Sequence, residues 1–201
     1  MTAIRSICVY CGSSPGTSPS FTAAAQTFGR ILAEEGVTLV YGGGSRGLMG
    51  ALATAVHDHG GRIVGVIPEF LRAKELPFGG AQELTVTATM HERKQIMFER
   101  ADAFIALPGG IGTLEELVEQ LTWAQLGRHR KPIVLANIDR FWDPLCELLD
   151  HMRSLGFVHS SVNVEYGIAD TVEDILPLVR RAAARVSEGE KRGEPEKLGR
   201  M

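Results

Sequence analysis

"AFIALPGGIGTLEELVEQLTWAQLG", residues 103–127, passes from an unbroken apolar run through a glycine loop into a helical pattern. An apolar run without alternation is the mark of a strand covered on both faces. The same order recurs along the chain. "IRSICVYCG" (4–12), "VTLVYGGG" (37–44), "RIVGVIP" (62–68), "ELTVTA" (83–88) and "KPIVLAN" (131–137) read as further strands. Between and after them, amphipathic helices are expected over 20–36, 47–61, 89–102, 141–156 and 171–188, and residues 69–82 read as loop. Strand and helix in alternation predict a doubly wound, mostly parallel α/β sheet with helices on both faces. Ligands of such sheets bind at the carboxyl ends of the strands, where both glycine loops of this chain fall.

A single domain over 1–187 accounts for the pattern, and the charged, apolar-poor stretch 188–201 reads as a disordered tail. The formal net charge of −3 does not suggest a surface for a nucleic acid polymer. No apolar run is long enough for a bilayer, and "MTAIRSICVYCGSS" lacks the features of a signal peptide, so a cytoplasmic protein without membrane association is expected. Three cysteines, Cys8, Cys11 and Cys146, do not make a disulfide framework. Cys8 and Cys11 match C-x-x-C, but on a strand they point to opposite faces and read as buried thiols.

The 103–127 stretch places Gly109, Gly110 and Gly112 at a helix start and Glu115 and Glu116 in the first turns. Exposed amides in a row form an anion nest, which adjacent carboxylates should oppose. One resolution is local: Thr113-x-x-Glu116 has the form of a capping box, and acids near a helix N-terminus suit the macrodipole. That leaves three glycines in one loop unexplained. The other resolution is a loop that binds an anion and places a carboxylate close beside it. Gly42-Gly43-Gly44-Ser45-Arg46-Gly47 forms a second loop, matching G-x-G-x-x-G between strand and helix. It suits a phosphate or nucleotide contact, with Glu69 as a ribose acid if the ligand is a dinucleotide, or a plain tight turn.

In "TMHERKQIMFERAD" (89–102), Met90, Met97, Phe98 and Ala101 form an apolar stripe, and Arg93 and Lys94 stand on Met90's face. Buried cations need partners, so these two either snorkel to the rim or point at an anion near the strand ends. Thr89-x-x-Glu92 is a second possible capping box. His57, His59 and His91 lack metal-ligand spacing, so no metal site is expected, and Trp123 and Trp142 read as packing residues.

"PGGIGTLEE", "MHERK", "YCGSS" and "GGGSRGLMG" together resemble the LONELY GUY family of cytokinin riboside 5′-monophosphate phosphoribohydrolases, often labelled lysine decarboxylases. The likeness reaches to about residue 185. It implies a Rossmann-like fold, a homodimer and no cofactor. The implied reaction hydrolyses the N-glycosidic bond of an N6-modified AMP, with AMP itself a possible substrate, giving the free base and ribose 5-phosphate. Carried over by motif, Arg93 and Glu116 are the catalytic pair. Met90, Lys94, Gly43, Gly44, Gly109, Gly110, Ile111, Gly112, Thr113, Leu114, Glu115 and Thr122 belong to the substrate site, with Glu75 added by spacing. A nucleotide-binding sensor or carrier of the same fold, without turnover, is the alternative.

Overall fold

The computed structural model describes residues 4–158 and 165–191. Seven parallel strands form one sheet in the order β4-β3-β2-β1-β5-β6-β7. They are β1 (Ser6–Tyr10), β2 (Thr38–Tyr41), β3 (Ile63–Pro68), β4 (Glu83–Thr87), β5 (Ala103–Ala106), β6 (Ile133–Ala136) and β7 (Gly167–Ala169). The helices are α1 (Pro19–Glu34), α2 (Gly47–Asp58), α3 (Glu69–Glu75), α4 (Met90–Arg100), α5 (Ile111–Gln125), α6 (Asp143–Ser154) and α7 (Ile175–Lys191), with a 3-10 turn at Ile138–Arg140.

The five central strands from β3 to β6, apart from Thr38 and Ser6 at their starts, are buried, as their continuous apolar sequences require. One core layer joins Ile7, Val9 and Cys11 to Phe28 of α1, Leu52 of α2 and Val179 of α7. The other joins Cys8, Tyr10 and Phe104 to Met97 of α4 and Leu117 of α5. Cys8 and Cys11 therefore lie on opposite faces of β1 as buried free thiols, and burial raises both pKa values.

The chain builds outward from β1 to β4, returns, and lays β5 on the free side of β1. That reversal is the topological switch point, where adjacent loops depart in opposite directions. Each crossover helix starts where its strand ends. The first turns of α4 and α5 consequently gather at the carboxyl edge of the sheet, beside the switch point.

Several boundaries depart from the sequence reading. The 69–82 segment contains α3, which buries no residue and so shows no apolar period; its support is the Arg72–Glu69 pair at 2.9 Å. β7, three residues long, and the 3-10 turn are too short to show a pattern. Helix α7 begins at Ile175 rather than 171 and continues to Lys191, into the stretch read as tail; the rest of that stretch, 192–201, lies outside the described residues. The Thr89 half of the Thr89-x-x-Glu92 capping box forms, with the Glu92 amide donating to Thr89 Oγ1 at 3.1 Å, while the Glu92 carboxylate reaches one residue further back and accepts from the Ala88 amide at 2.9 Å. Thr89→Ala should destabilise the fold by about 1 kcal/mol, read as a lower denaturation midpoint in urea with an unchanged slope.

Candidate active site

The expected capping box at Thr113 does not form. Helix α5 starts two residues earlier, at Ile111, with Gly110 as an N-cap that has no side chain to offer. The first backbone bond of the helix runs from the Leu114 amide to the Gly110 carbonyl, 3.0 Å. The amides of Ile111, Gly112 and Thr113 thus lack intrahelical acceptors at the positive end of a fifteen-residue helix. Gly110, Ile111 and Gly112 are exposed, and a Cβ on Gly110 or Gly112 would meet nothing within 4 Å. Gly109 has another role: a Cβ there would fall 2.6 Å from Thr113 Cβ and 2.9 Å from the Gly12 amide nitrogen, so only glycine lets the loops after β5 and β1 touch. The Gly12 amide donates to the Pro108 carbonyl across this contact, 3.1 Å. Thr113 is buried beneath the loop, and Leu114 is half-buried beside the second core layer.

Glu116 is freed from capping and turns inward. Its Oε1 lies 3.2 Å from Arg93 Nη2, with the two side chains only 9% and 8% exposed. Arg93 neither snorkels nor waits alone; it spans from α4 to α5. Its Nη1 also lies 3.8 Å from Met90 Sδ, while its Nε is buried without a partner. Lys94 beside it is held by Glu115 at 2.6 Å and Glu119 at 2.9 Å. Burial pulls the Lys94 pKa down, but the hydrogen bonds it donates to Glu115 and Glu119, and their charges, outweigh it and hold the ammonium above its ordinary range. Glu119 is not among the site residues expected from sequence; its i,i+4 spacing from Glu115 on one helix face is the signal that points to it.

Burial raises the Glu116 pKa to about 7; Arg93 opposes the shift, while the charges on Glu115 and Glu75 add to it. The ion pair and the raised value are compatible, because burial outweighs the attraction of the guanidinium. Arg93 also acts on Glu75, whose pKa is raised first by burial and lowered in part by Arg93.

The loop after β2 is the floor under this pair. A Cβ on Gly42 would fall 2.4 Å from Arg93 Nη2, and one on Gly44 would fall 3.4 Å from Glu75 Cβ. Gly43 adopts φ +79° and packs on Ile67 and Leu84. The loop is pinned to the end of α3, since the Ser45 amide donates to Leu76 O at 2.9 Å and the Phe78 amide to Gly43 O at 2.9 Å. Gly42→Ala would therefore displace the flexible end of Arg93 rather than the backbone. Turnover should fall by about 10²-fold, and the melting temperature should drop as well, because the buried Arg93–Glu116 contact is disturbed, in paired kinetic and calorimetric measurements.

Two sequence-predicted residues sit elsewhere. Glu69 is exposed and paired with Arg72, so it faces no ribose site. Thr122 is exposed on α5, its hydroxyl donating to Val118 O at 2.7 Å. Trp142 is buried and donates its indole N–H to Ala106 O at 3.0 Å, which is a packing role. Among the described residues, no cluster of three or more His, Cys, Asp or Glu side chains is arranged to hold a metal ion. A cleft between α1 and α2, bordered by Gln26, Arg30, Asp58 and His59, belongs to the other face of the sheet and includes none of the predicted residues.

Known proteins share this sequence closely. A family profile described as "Possible lysine decarboxylase" matches residues 49–179. The chain is 46% identical over 181 residues to a probable cytokinin riboside 5′-monophosphate phosphoribohydrolase of Oryza sativa subsp. japonica, covering 90% of this chain and 79% of that one. It is 53% identical over 154 residues to another cytokinin riboside 5′-monophosphate phosphoribohydrolase of that plant, covering 77% of this chain and 64% of the relative. An Arabidopsis thaliana protein with the same enzyme name is 48% identical over 175 residues, covering 87% and 82%. Among solved structures, the molybdenum cofactor binding protein of Rippkaea orientalis superposes with TM-score 0.67 at 21% identity, over 91% of this chain and 99% of that one. At that identity the likeness speaks for the fold alone.

Proposed function

Because this chain belongs to the LONELY GUY family of cytokinin riboside 5′-monophosphate phosphoribohydrolases, we propose that it hydrolyses the N-glycosidic bond of N6-modified AMP. The products are the free N6-modified adenine and ribose 5-phosphate. One observation carries the reading: a buried Arg93–Glu116 pair stands directly behind an uncapped helix N-terminus.

Cleavage of a glycosidic bond builds positive charge on the ribose, in an oxocarbenium-like state. The 5′-phosphate of the same ribose is an anion. A site for both must set a carboxylate close to an anion cradle without letting the two negative charges collide. In this reading the phosphate takes the amides of Ile111, Gly112 and Thr113 at the mouth of α5. Glu116, further along the helix, faces C1′ and takes a proton from the attacking water. Arg93 holds Glu116 in place, and Lys94 offsets Glu115 and Glu119.

The family's other label implies an amine that forms a Schiff base, and Lys94 is poorly suited to that. Its ammonium is clamped by two carboxylates and its pKa is raised, the reverse of what an amine nucleophile needs.

A homodimer belongs to the same reading. On α5, Ile111 is 82% exposed and Leu126 75%, with Val118 and Thr122 between them. This stripe suits contact with a second copy, which would bring Thr122 into an interface. The cytoplasm is the matching compartment, since it keeps thiols reduced and this chain has three free cysteines. No described helix is long and apolar enough to cross a membrane.

The test is chromatography of AMP and N6-isopentenyl-AMP after incubation with the purified protein. Free base together with ribose 5-phosphate is expected, and the ratio of rates reads the preference at N6. Tight binding of both nucleotides with no free base would replace this reading with the sensor or carrier.

A further inference from the structure

Hydrolysis of an adenine nucleotide also requires a proton for the departing base, and neither Arg93 nor Glu116 supplies it in the scheme above. Glu75 has the attributes of that donor. It ends α3, on the β3 side of the sheet, and one of its carboxyl oxygens, Oε2, is buried without any hydrogen-bond partner. A buried carboxyl oxygen with no donor near it is costly to leave ionised and needs an explanation in ligand or proton.

The backbone holding Glu75 is specialised. Leu76, directly after it, sits at φ 51°, a conformation that L side chains adopt at a cost of order 1 kcal/mol or more. The strain is held by the Ser45 amide, which lies 3.2 Å from Glu75 O and 2.9 Å from Leu76 O, and by the bridge from Gly44 to Pro77. The turn thereby brings Glu75 Cβ against the glycine loop after β2, whose Gly42 lies against Arg93 Nη2.

Charged and titratable groups from three places couple to Glu75. Arg93 of α4 lowers its pKa, and the Glu75 charge in turn raises the pKa of Glu116 on α5 and of Cys11 just after β1. Arg93 contacts Glu116 and forms no ion pair with Glu75. Glu75 has no cation in contact, so a proton on it displaces no ion pair, and burial raises its pKa as it raises that of Glu116.

Topology aligns these groups with a mononucleotide. The anion cradle follows β5, while Arg93 lies against Gly42 and Glu75 against Gly44 in the loop after β2. From β5 to β2 is two strand spacings, about 10 Å. Phosphate, ribose and base, laid out in that order, end with the base beside Glu75.

Resting on the phosphoribohydrolase reading, we propose that Glu75 is the general acid that protonates the leaving base. As the C1′–N9 bond breaks, its electron pair goes to the base. The Glu75 carboxyl gives its proton to a ring nitrogen. Water adds to C1′ and gives its proton to the Glu116 carboxylate. Glu75 ends ionised and Glu116 ends protonated, and exchange with solvent restores both.

The experiment compares two substrates of different leaving group: N6-isopentenyl-AMP, and p-nitrophenyl β-D-riboside 5-phosphate, whose phenolate leaves without a proton. Glu75→Gln should lower kcat on the nucleotide by about 10²–10³-fold and stay within about fivefold of wild type on the phenolate substrate. Glu116→Gln should lose both activities. Glu75→Asp, which keeps a donor, should recover part of the loss on the nucleotide. Equal losses of Glu75→Gln on the two substrates, or none on either, would overturn the acid role while the phosphoribohydrolase reading stands. A wild-type protein inactive on both substrates would overturn the reading and the acid together.

Discussion

Glu116→Gln should lower turnover of N6-isopentenyl-AMP by about 10²-fold or more while nucleotide affinity, measured by calorimetry, stays within a few-fold. Gln keeps the volume and the buried position, but it removes the negative charge that faces the developing positive charge on the ribose. Removal of one preorganised electrostatic partner commonly costs about 3–4 kcal/mol of transition-state stabilisation, and the expected loss follows from that figure. A variant with near-normal turnover would dismiss Glu116 as the base.

The pH dependence should carry the same signature. Burial lifts the Glu116 pKa to about 7. As a base it must be ionised, so kcat/KM of the wild type on the p-nitrophenyl riboside 5-phosphate, which needs no acid, should rise with pH through about 7 and level off above it, whereas on the nucleotide the profile should be bell-shaped. Stability should run the other way. The folded state binds a proton at Glu116 that the unfolded state has released, over the window from about 4.5 to about 7. More protons bound in the native state mean that stability falls as pH rises across that window, by a total of about 3 kcal/mol for this group. Glu116→Gln should flatten this component, as seen in urea titrations at pH 5, 6, 7 and 8. A wild-type stability that climbs with pH over the same range would contradict the burial-driven shift.

Arg93→Ala should produce the second large effect, on stability as much as on rate. The substitution leaves Glu116 buried with no cation in contact and removes the positive charge that lowers the Glu75 pKa. Breaking a buried pair by removing one member typically costs about 3–5 kcal/mol, because the remaining charge stays out of water. The cost should be largest at pH 8 and shrink at pH 5, where both carboxyls can take up protons. The Arg93→Ala, Glu116→Gln double variant should regain more than half of the lost stability at pH 8, since the orphaned charge is then gone. Simple additivity of the two changes in urea denaturation would mean that Arg93 and Glu116 are not coupled. Arg93→Lys should fold better than Arg93→Ala yet remain slow, because a point charge does not reproduce the planar fork.

What the sequence made legible follows from the range of the forces involved. The apolar runs at 7–11, 39–41, 63–67 and 103–107 can be satisfied only between two covering layers, so the parallel sheet is written in local composition. Glycine loops after such strands mark the carboxyl edge, and the cations Arg93 and Lys94 on an apolar helix face announce a partner without saying which. Thr89 and Glu92 were readable as a cap because they belong to the same turn. Thr113 and Glu116 share that spacing, which left a cap and an anion loop both open, and a distant residue decides between them: Arg93 takes the carboxylate that a local cap would have used. Helix α3 escaped notice because it buries nothing, so no periodicity records it.

The sequence by itself therefore determined the layered α/β fold, the two loops at the strand ends and the short roster of charged residues around them. Tertiary structure decided the pairings: Arg93 with Glu116, Lys94 with Glu115 and Glu119, and Gly42 opened to let Arg93 pass. It also brought the orphaned carboxyl of Glu75 to the same edge, through a strained turn that its own neighbours do not encode. The physical reason is that burial and patterning act within a segment and leave a period in the sequence. An ion pair between helices instead depends on which strand ends the sheet topology sets side by side.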